Sequence, residues 1–444
     1  MVTVISKIKF ITLYLVLQGK MALVGSRSGR KKSLKMAIPF ILSVLLLTTP
    51  GTPKAEEQEW PWTFEGRNFL VTRNSEDNFS PAVASNGTLY LVVWHRNTAS
   101  GLDIYGVLVN SIGNPVGDEI PICTAPNGQM FPNVTWDGEN FFVVWQDRRS
   151  GKWWDVYGAW VTPQGKVLGQ DQNPNGVPIV AGKLDRVSPV ISFDGENYLV
   201  AWQGRRNQKT WNVYFAIVSK ESGEVIDQKP VSQSLKDQLS PSVDFDGENY
   251  LIVWQDKRGG KFWDIYGARV TTLGDILGKK AFPISPIVQQ SINGWDKWKP
   301  VLSWDKNSFL VIWTASRQDE WSLESKRVFL DGTVDLYDTT IERDVANKSS
   351  PAILWDEVQY LLVWEDEPES GSRILGVSVL PEPITASGPV AISSPDVEAP
   401  SLVKASKLGD EYLVVWQALD NDGHWQIYGQ RLGLKKNLKP IGPL

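Results

Sequence analysis

Seven times along the chain a short apolar run closes on a tryptophan, and the spacing of these residues bounds the fold more tightly than any other property. The markers are Trp94, Trp145, Trp202, Trp254, Trp313, Trp364 and Trp416, separated by 51, 57, 52, 59, 51 and 52 residues. The clearest copies are DGENFFVVWQDRRSGKWWDVYGAWV from Asp137, DGENYLVAWQGRRNQKTWNVYFAIV from Asp194 and DGENYLIVWQDKRGGKFWDIYGARV from Asp246. A period of roughly 50 residues filled with short strands is that of a β-propeller, whose repeats bury their sheets only against one another.

Each copy reads as four strands. The first follows a proline (PAVAS, PNVTW, PVISF, PSVDF, PVLSW, PAILW, PSLVK) and alternates with period two. An Asp-Gly turn at Asp137, Asp194 and Asp246 leads into the second, YLVVW and its variants, apolar throughout and so buried on both faces. The third is DIYGVLV or a relative, and the fourth ends near PICT, PIVA, PVSQ or PISP. The expected fold is all-β: a seven-bladed propeller of four-stranded antiparallel blades. The blades fall at about 79–129, 130–187, 188–239, 240–298, 299–349, 350–399 and 400–444. Segment 56–78 would close the ring, with Phe69 to Thr72 pairing with the last blade. Blades 5 and 6 are degenerate: the turn becomes Asp305-Lys306-Asn307 and Asp356-Glu357-Val358.

Residues 1–55 are of another kind. They hold nine basic residues and no acidic one, and RSGRKKSLK leads into MAIPFILSVLLL and then TTPGTPKA. That is the order of a secretory signal peptide, with Ala55 at the cleavage point and Met21 or Met36 as alternative starts. The apolar run is short for a span of about 20 residues; an uncleaved signal anchor is the alternative. A secreted or periplasmic location is expected, with membrane contact only through an uncleaved leader. Residues 56–444 carry 36 basic and 50 acidic residues, a net charge of −14. Such a surface disfavours nucleic acid and anionic membranes. The single cysteine, Cys123, excludes an internal disulfide and a cysteine-cluster metal site.

The unit D-G-x-x-Y-L-V-x-W-x-D-x-R-x-G-x-x-x-D-I-Y-G resembles the repeat of secreted bacterial and archaeal propeller proteins of unassigned function. It is also similar to the propeller repeat of the TolB family, with the Trp of the second strand a departure. The resemblance implies the architecture and no activity. The aspartate-box repeat of sialidases, S-x-D-x-G-x-T-W, is missing from these turns.

The segments joining strands two and three are the most chemically loaded. They read HRNTASGLD, QDRRSGKWWD, QGRRNQKTWN, QDKRGGKFWD, TASRQDEWS and QALDNDGHWQ. Indole stacks on a sugar face while guanidinium and amide groups bind hydroxyls, so this mixture suits a glycan. Asp147 with Arg149 and Asp256 with Arg258 recur with the blade and read as turn braces. Trp154, Trp211, Trp263, Trp321 and Trp425 share one blade position and read first as packing. Trp60, Trp62, Trp153, Trp160, Trp295 and Trp298 have no repeat-based reason. A binding surface across blades 2 to 5 is expected to use Arg148, Trp153, Trp154, Arg205, Trp211, Trp263, Trp295 and Trp298. His95 and His424, in the two-to-three segments of blades 1 and 7, fit no metal-ligand spacing. No catalytic residue, metal or cofactor is assigned. The expected function is a non-catalytic binding module for a glycan or an envelope protein. The alternatives are a polysaccharide-acting enzyme with its site at the axial channel, and an envelope-attached scaffold.

Overall fold

The proline-led segment and the apolar run after it pair antiparallel in every copy, and two further strands complete each blade. In blade 1 these are Asp77–Ser85, Leu89–Thr98, Gly101–Asn110 and Pro115–Cys123, hydrogen-bonded in that order. The same order holds in the sheets at 129–180, 186–230, 238–283, 296–344 and 347–391, the last with its outer edge split between Ile384–Ala386 and Val390–Ala391. The computed structural model describes residues 60–169, 173, 175–285 and 295–434. The leader and the tip of the segment joining blades 4 and 5 lie outside them. No helix among the described residues is long and apolar enough to cross a membrane.

First strands of neighbouring blades pack on one another all the way round, so they form the innermost layer about the axis. The marker tryptophans are at most 1% exposed, each in the core shared with the preceding blade. Trp145 joins Leu91 and Val93 of blade 1, and Trp94 joins Leu413 and Val415 of blade 7. Their role is packing.

The seventh blade is built from both ends of the fold. Glu398–Leu408, Glu411–Leu419 and Trp425–Leu434 take Trp62–Leu70 as their outer strand. Pairing runs from Trp62 with Leu434 to Leu70 with Tyr428, and the Val71 amide continues it to the Ile427 carbonyl at 2.8 Å. The expected contacts of Phe69 to Thr72 are present, but the strand starts seven residues earlier. Trp62 is 1% exposed and meets Tyr412 edge-on at 5.5 Å.

The residue before each strand-one proline has a positive φ: Ser80, Phe131, Ser188, Ser240, Lys299, Ser350 and Ala399 lie between 47° and 54°. A residue before proline is excluded from the right-handed helical region, and here the ladder register shifts at the same point in every blade. This bulge turns one backbone N–H out of the ladder, and in blades 1, 3, 4 and 5 a glutamine of the preceding blade receives it. In blades 5 and 6, Lys306 (φ 79°) and Glu357 (φ 87°) occupy the turn position held by Gly138, Gly195 and Gly247. Asp305 and Asp356 still cap those turns through the amides of Ser308 at 2.6 Å and Gln359 at 2.8 Å.

Candidate functional site

The hairpins joining strands two and three emerge on the face where strand one begins. They are shorter than the sequence suggests: blade 1 turns at residues 99–100 and blade 5 at 318–319, because the ladder continues through both segments. In blade 3 Arg205 and Trp211 end the paired strands, whereas in blades 2 and 4 residues 148–154 and 257–263 form the hairpin loop itself. The Trp154, Trp211, Trp263 and Trp425 amides donate to Asp185, Asp237, Asp296 and Asp77, each the first-strand aspartate of the next blade, at 2.9 to 3.1 Å. This repeated clip sets the height of each indole above the ring.

Three successive blades then place a cation on that indole. Arg148 lies 5.8 Å from the Trp154 ring centre, Arg205 4.1 Å from Trp211, and Lys257 4.8 Å from Trp263. The three indoles are half-buried, so part of each ring remains open to solvent. The Arg148 and Arg205 guanidinium groups have no hydrogen-bond acceptor among the described residues, and only the indole orients them. Arg149 and Arg258 differ. Each is bound to its blade aspartate at 2.6 Å, and those carboxylates also accept the Trp145 and Trp254 indole N–H at 2.9 and 2.8 Å. They are turn braces, as their recurrence suggests.

The tryptophans outside the repeat divide. Trp60 and Trp62 pack in the core between blades 6 and 7, and Trp160 donates to the Tyr198 hydroxyl at 3.1 Å. Trp295 rests on the core between blades 4 and 5 with Arg343 5.1 Å from its ring, and Trp298 meets Trp321 at 5.6 Å. Trp153 sits beside Trp154 under Lys152 at 4.8 Å, in a turn held by Ser150. The structure thus groups Arg148, Trp153, Trp154, Arg205, Trp211 and Trp263 on the hairpins of blades 2 to 4. Trp295 packs against the core between blades 4 and 5, and Trp298, half-buried like the indoles of blades 2 to 4, pairs with Trp321 at the blade 5 hairpin.

A second set of residues was missed in the sequence because its role depends on register. The residue after each marker tryptophan points at the bulge of the next blade. Gln417, Gln146, Gln203 and Gln255 accept the displaced amides of Ser80, Ser188, Ser240 and Lys299 through Oε1 at 2.8 to 3.1 Å. With Oε1 committed, each Nε2 has no protein acceptor among the described residues and stays in contact with water. Three blades depart from this ring with His95, Thr314 and Glu365. The signal was legible as a recurrent Trp-Gln pair.

Glu365 accepts the Leu402 amide at 3.3 Å and the Ser349 hydroxyl at 3.0 Å. Burial first, and then the neighbouring Glu367, push its pKa up to about 7. His95 is 3% exposed in the second strand of blade 1, stacked on Phe79 at 5.5 Å, and burial brings its pKa down to about 4. The sequence places His95 in a two-to-three segment, but the ladder extends to Thr98 and takes it into the interior. His424 stays on its turn, 3.7 Å from Asp77, and Asp420 is occupied capping that turn. Among the described residues no three His, Cys, Asp or Glu side chains converge as a metal site would require.

Comparison with known proteins adds architecture alone. No protein-family model matches the chain, and no curated protein matches it, so the TolB likeness rests on the motif. Among solved structures, a puromycin-hydrolyzing peptidase of Mycobacterium tuberculosis is similar with a TM-score of 0.54 and 13% identity, over 86% of this chain and 57% of that one. A protein of unknown function from Dyadobacter fermentans is similar at a TM-score of 0.48 and 13% identity, over 84% and 99% of the two chains. The GH93 alpha-L-arabinofuranosidase of Fusarium graminearum is similar at 0.42 and 9% identity, over 84% and 98%. At such identities the shared property is the propeller fold.

Proposed function

We propose that this protein is a non-catalytic binding propeller, secreted or periplasmic, that holds a glycan against the hairpins of blades 2 to 4. One observation carries the reading. Three neighbouring blades repeat a cation-on-indole pair at one height, and two of the cations, Arg148 and Arg205, are unspent on the protein. An open indole edge beside a free guanidinium offers a sugar ring an apolar platform and a donor for its hydroxyls. A run of three such pairs favours an extended saccharide over a compact ligand. An envelope protein as partner would need a broad apolar contact, and this face presents half-buried rings under charges instead.

A second reading, a polysaccharide-acting enzyme, has its own observation. Glu365 titrates near neutrality beside Glu367, and a protonated carboxyl next to another acidic residue is the equipment of a general acid. A glycan array probed with the full-length protein, followed by product analysis on every bound saccharide, separates the two. The binding reading expects retention of intact saccharide; released reducing ends that vanish in Glu365→Gln would replace it with the enzyme.

A further inference from the structure

The innermost strand of blade 7 is built unlike the other six. Between its proline and the aromatic residue that opens strand two, Pro400 to Tyr412, it holds three more residues than blade 1 does between Pro81 and Tyr90. The surplus appears as a second register shift, between Ser401 and Lys404, and a second residue of positive φ, Leu402 at 54°. Non-glycine residues held in this region cost about 1–3 kcal/mol each and persist where the surroundings impose them. Here the double bulge makes Leu402 the residue whose amide is received by Glu365, and it places Lys404 opposite Val415. Ala82, Asn133, Val190, Ser242, Val301 and Ala352 hold that register position in the other blades. Only blade 7 brings a charge there.

Lys404 has no hydrogen-bond or ion-pair partner among the described residues. It is half-buried, reaching water while protein encloses it, as a side chain inside the axial opening would be. The charge acting on it is a second cation, Lys299 of blade 5. Blades 5 and 7 are not neighbours in the ring, so this influence passes across the opening. Lys299 is itself a departure, standing at the bulge where blades 1, 3, 4 and 6 have Ser80, Ser188, Ser240 and Ser350. Enclosure, and then Lys299, hold the Lys404 pKa down, as expected of a cation with no anion beside it. Around the same opening the Gln146, Gln203, Gln255 and Gln417 amides turn N–H groups to water, and Thr314 presents a buried hydroxyl without a partner. The carboxylate that receives the neighbouring bulge is committed: Glu365 accepts Leu402 and Ser349.

We propose that the mouth of the axial channel is an oxyanion site, in which Lys404 and Lys299 bind a carboxylate or sulfate group and the glutamine ring supplies further N–H donors. Two ammonium groups on innermost strands, without ion-pair partners among the described residues, repel until an anion lies between them, and amide donors without acceptors complete its coordination. The group is either a free small anion or the acidic substituent of a saccharide. This site is separate from the indole hairpins of blades 2 to 4, and each stands without the other.

The repeat itself supplies variants that fold: Lys404→Ala installs the residue of blades 1 and 6, and Lys299→Ser that of blades 1, 3, 4 and 6. Calorimetric titration and thermal unfolding of the full-length protein would use sodium sulfate and sodium glucuronate, with chloride holding ionic strength constant. Either anion should raise the wild-type melting temperature by linkage. Lys404→Ala should weaken binding at least tenfold and abolish the shift, and Lys299→Ser should weaken it at least threefold. Binding of sulfate and glucuronate alike identifies a free oxyanion site, and binding of glucuronate alone identifies an acidic sugar. A wild-type protein indifferent to both anions, or a Lys404→Ala variant that binds as wild type does, overturns the proposal. Trp211→Ala is expected to leave the anion response intact, so loss of glycan binding in that variant reports on the hairpins alone.

Discussion

The position after the marker tryptophan shows how one residue changes the properties of a blade whose backbone stays the same. Glutamine there is neutral at every pH and braces the next blade. His95 and Glu365 occupy equivalent places and bring titration into the interior, with opposite signs. His95 is held near pKa 4, below the ordinary 6.5. As pH falls from 6.5 to 4 the unfolded chain takes up a proton that the folded state refuses, so stability is lost. Glu365 is held near 7, above the ordinary 4.5. As pH rises from 4.5 to 7 the unfolded chain releases a proton that the folded state retains, so stability is again lost, and Asp244, raised to about 6, acts in the same sense. Each window is worth on the order of 3 kcal/mol. Replacing either residue by the repeat's own glutamine should expose the other. In denaturant titrations, His95→Gln stability should fall more steeply than wild type as pH rises from 4.5 to 7, and Glu365→Gln stability should fall less steeply, with Asp244 still opposing His95. Parallel pH profiles for the two variants would contradict the assignment.

At the scale of the element, the strands that were legible in the sequence are those with a repeat to compare. The Pro-led strand, the Asp-Gly turn and the apolar second strand recur, and all three occur where their pattern places them. Trp62–Leu70 has no counterpart, and five of its nine residues are exposed in succession, so neither alternation nor repetition marks it as a strand. Only its last residues, similar to the approach to other blades, signalled the closure. Because Trp62 is buried and the ladder begins there, trimming 56–62 removes part of the closure along with the leader's end. Trp62→Ala should cost about 3–5 kcal/mol, as for other large buried aromatics, while removal of residues 56–59 should change the midpoint of thermal unfolding little. Equal melting temperatures for Trp62→Ala and wild type would mean that the ring closes through Phe69 to Thr72 alone. The double bulge of blade 7 was not legible for a related reason: a strand with three extra residues keeps its proline and its aromatic, so the surplus leaves no mark in composition or period.

For the whole molecule, seven similar blades give near-equivalent positions, and function can occupy only what the equivalence leaves over. The marker tryptophans count the blades and seal the cores between them. Clip aspartates hold the hairpins of blades 2, 3, 4 and 7, and glutamine braces hold the bulges of blades 1, 3, 4 and 5. What remains distinctive is a run of cation-covered indoles on blades 2, 3 and 4 and, on the innermost strands, Lys299 and Lys404 without ion-pair partners among the described residues. Six of the eight expected site residues lie together on these hairpins, and they were legible because Arg-Arg and Trp stand close together in the blade 2 and 3 segments. Trp295 and Trp298 were not distinguishable from it, since whether an indole turns outward or into a core depends on the neighbouring blade.

The central claim is that blades 2 to 4 bind saccharide through their indole pairs, and it is tested most directly by affinity on a single glycan drawn from the array. With the full-length protein, Trp211→Ala and Arg205→Ala should each weaken binding at least tenfold, about 1.4 kcal/mol. Trp425→Ala, at the equivalent position of blade 7, should leave it within about twofold. An affinity that falls equally in all three variants, or in Trp425→Ala alone, would contradict the account.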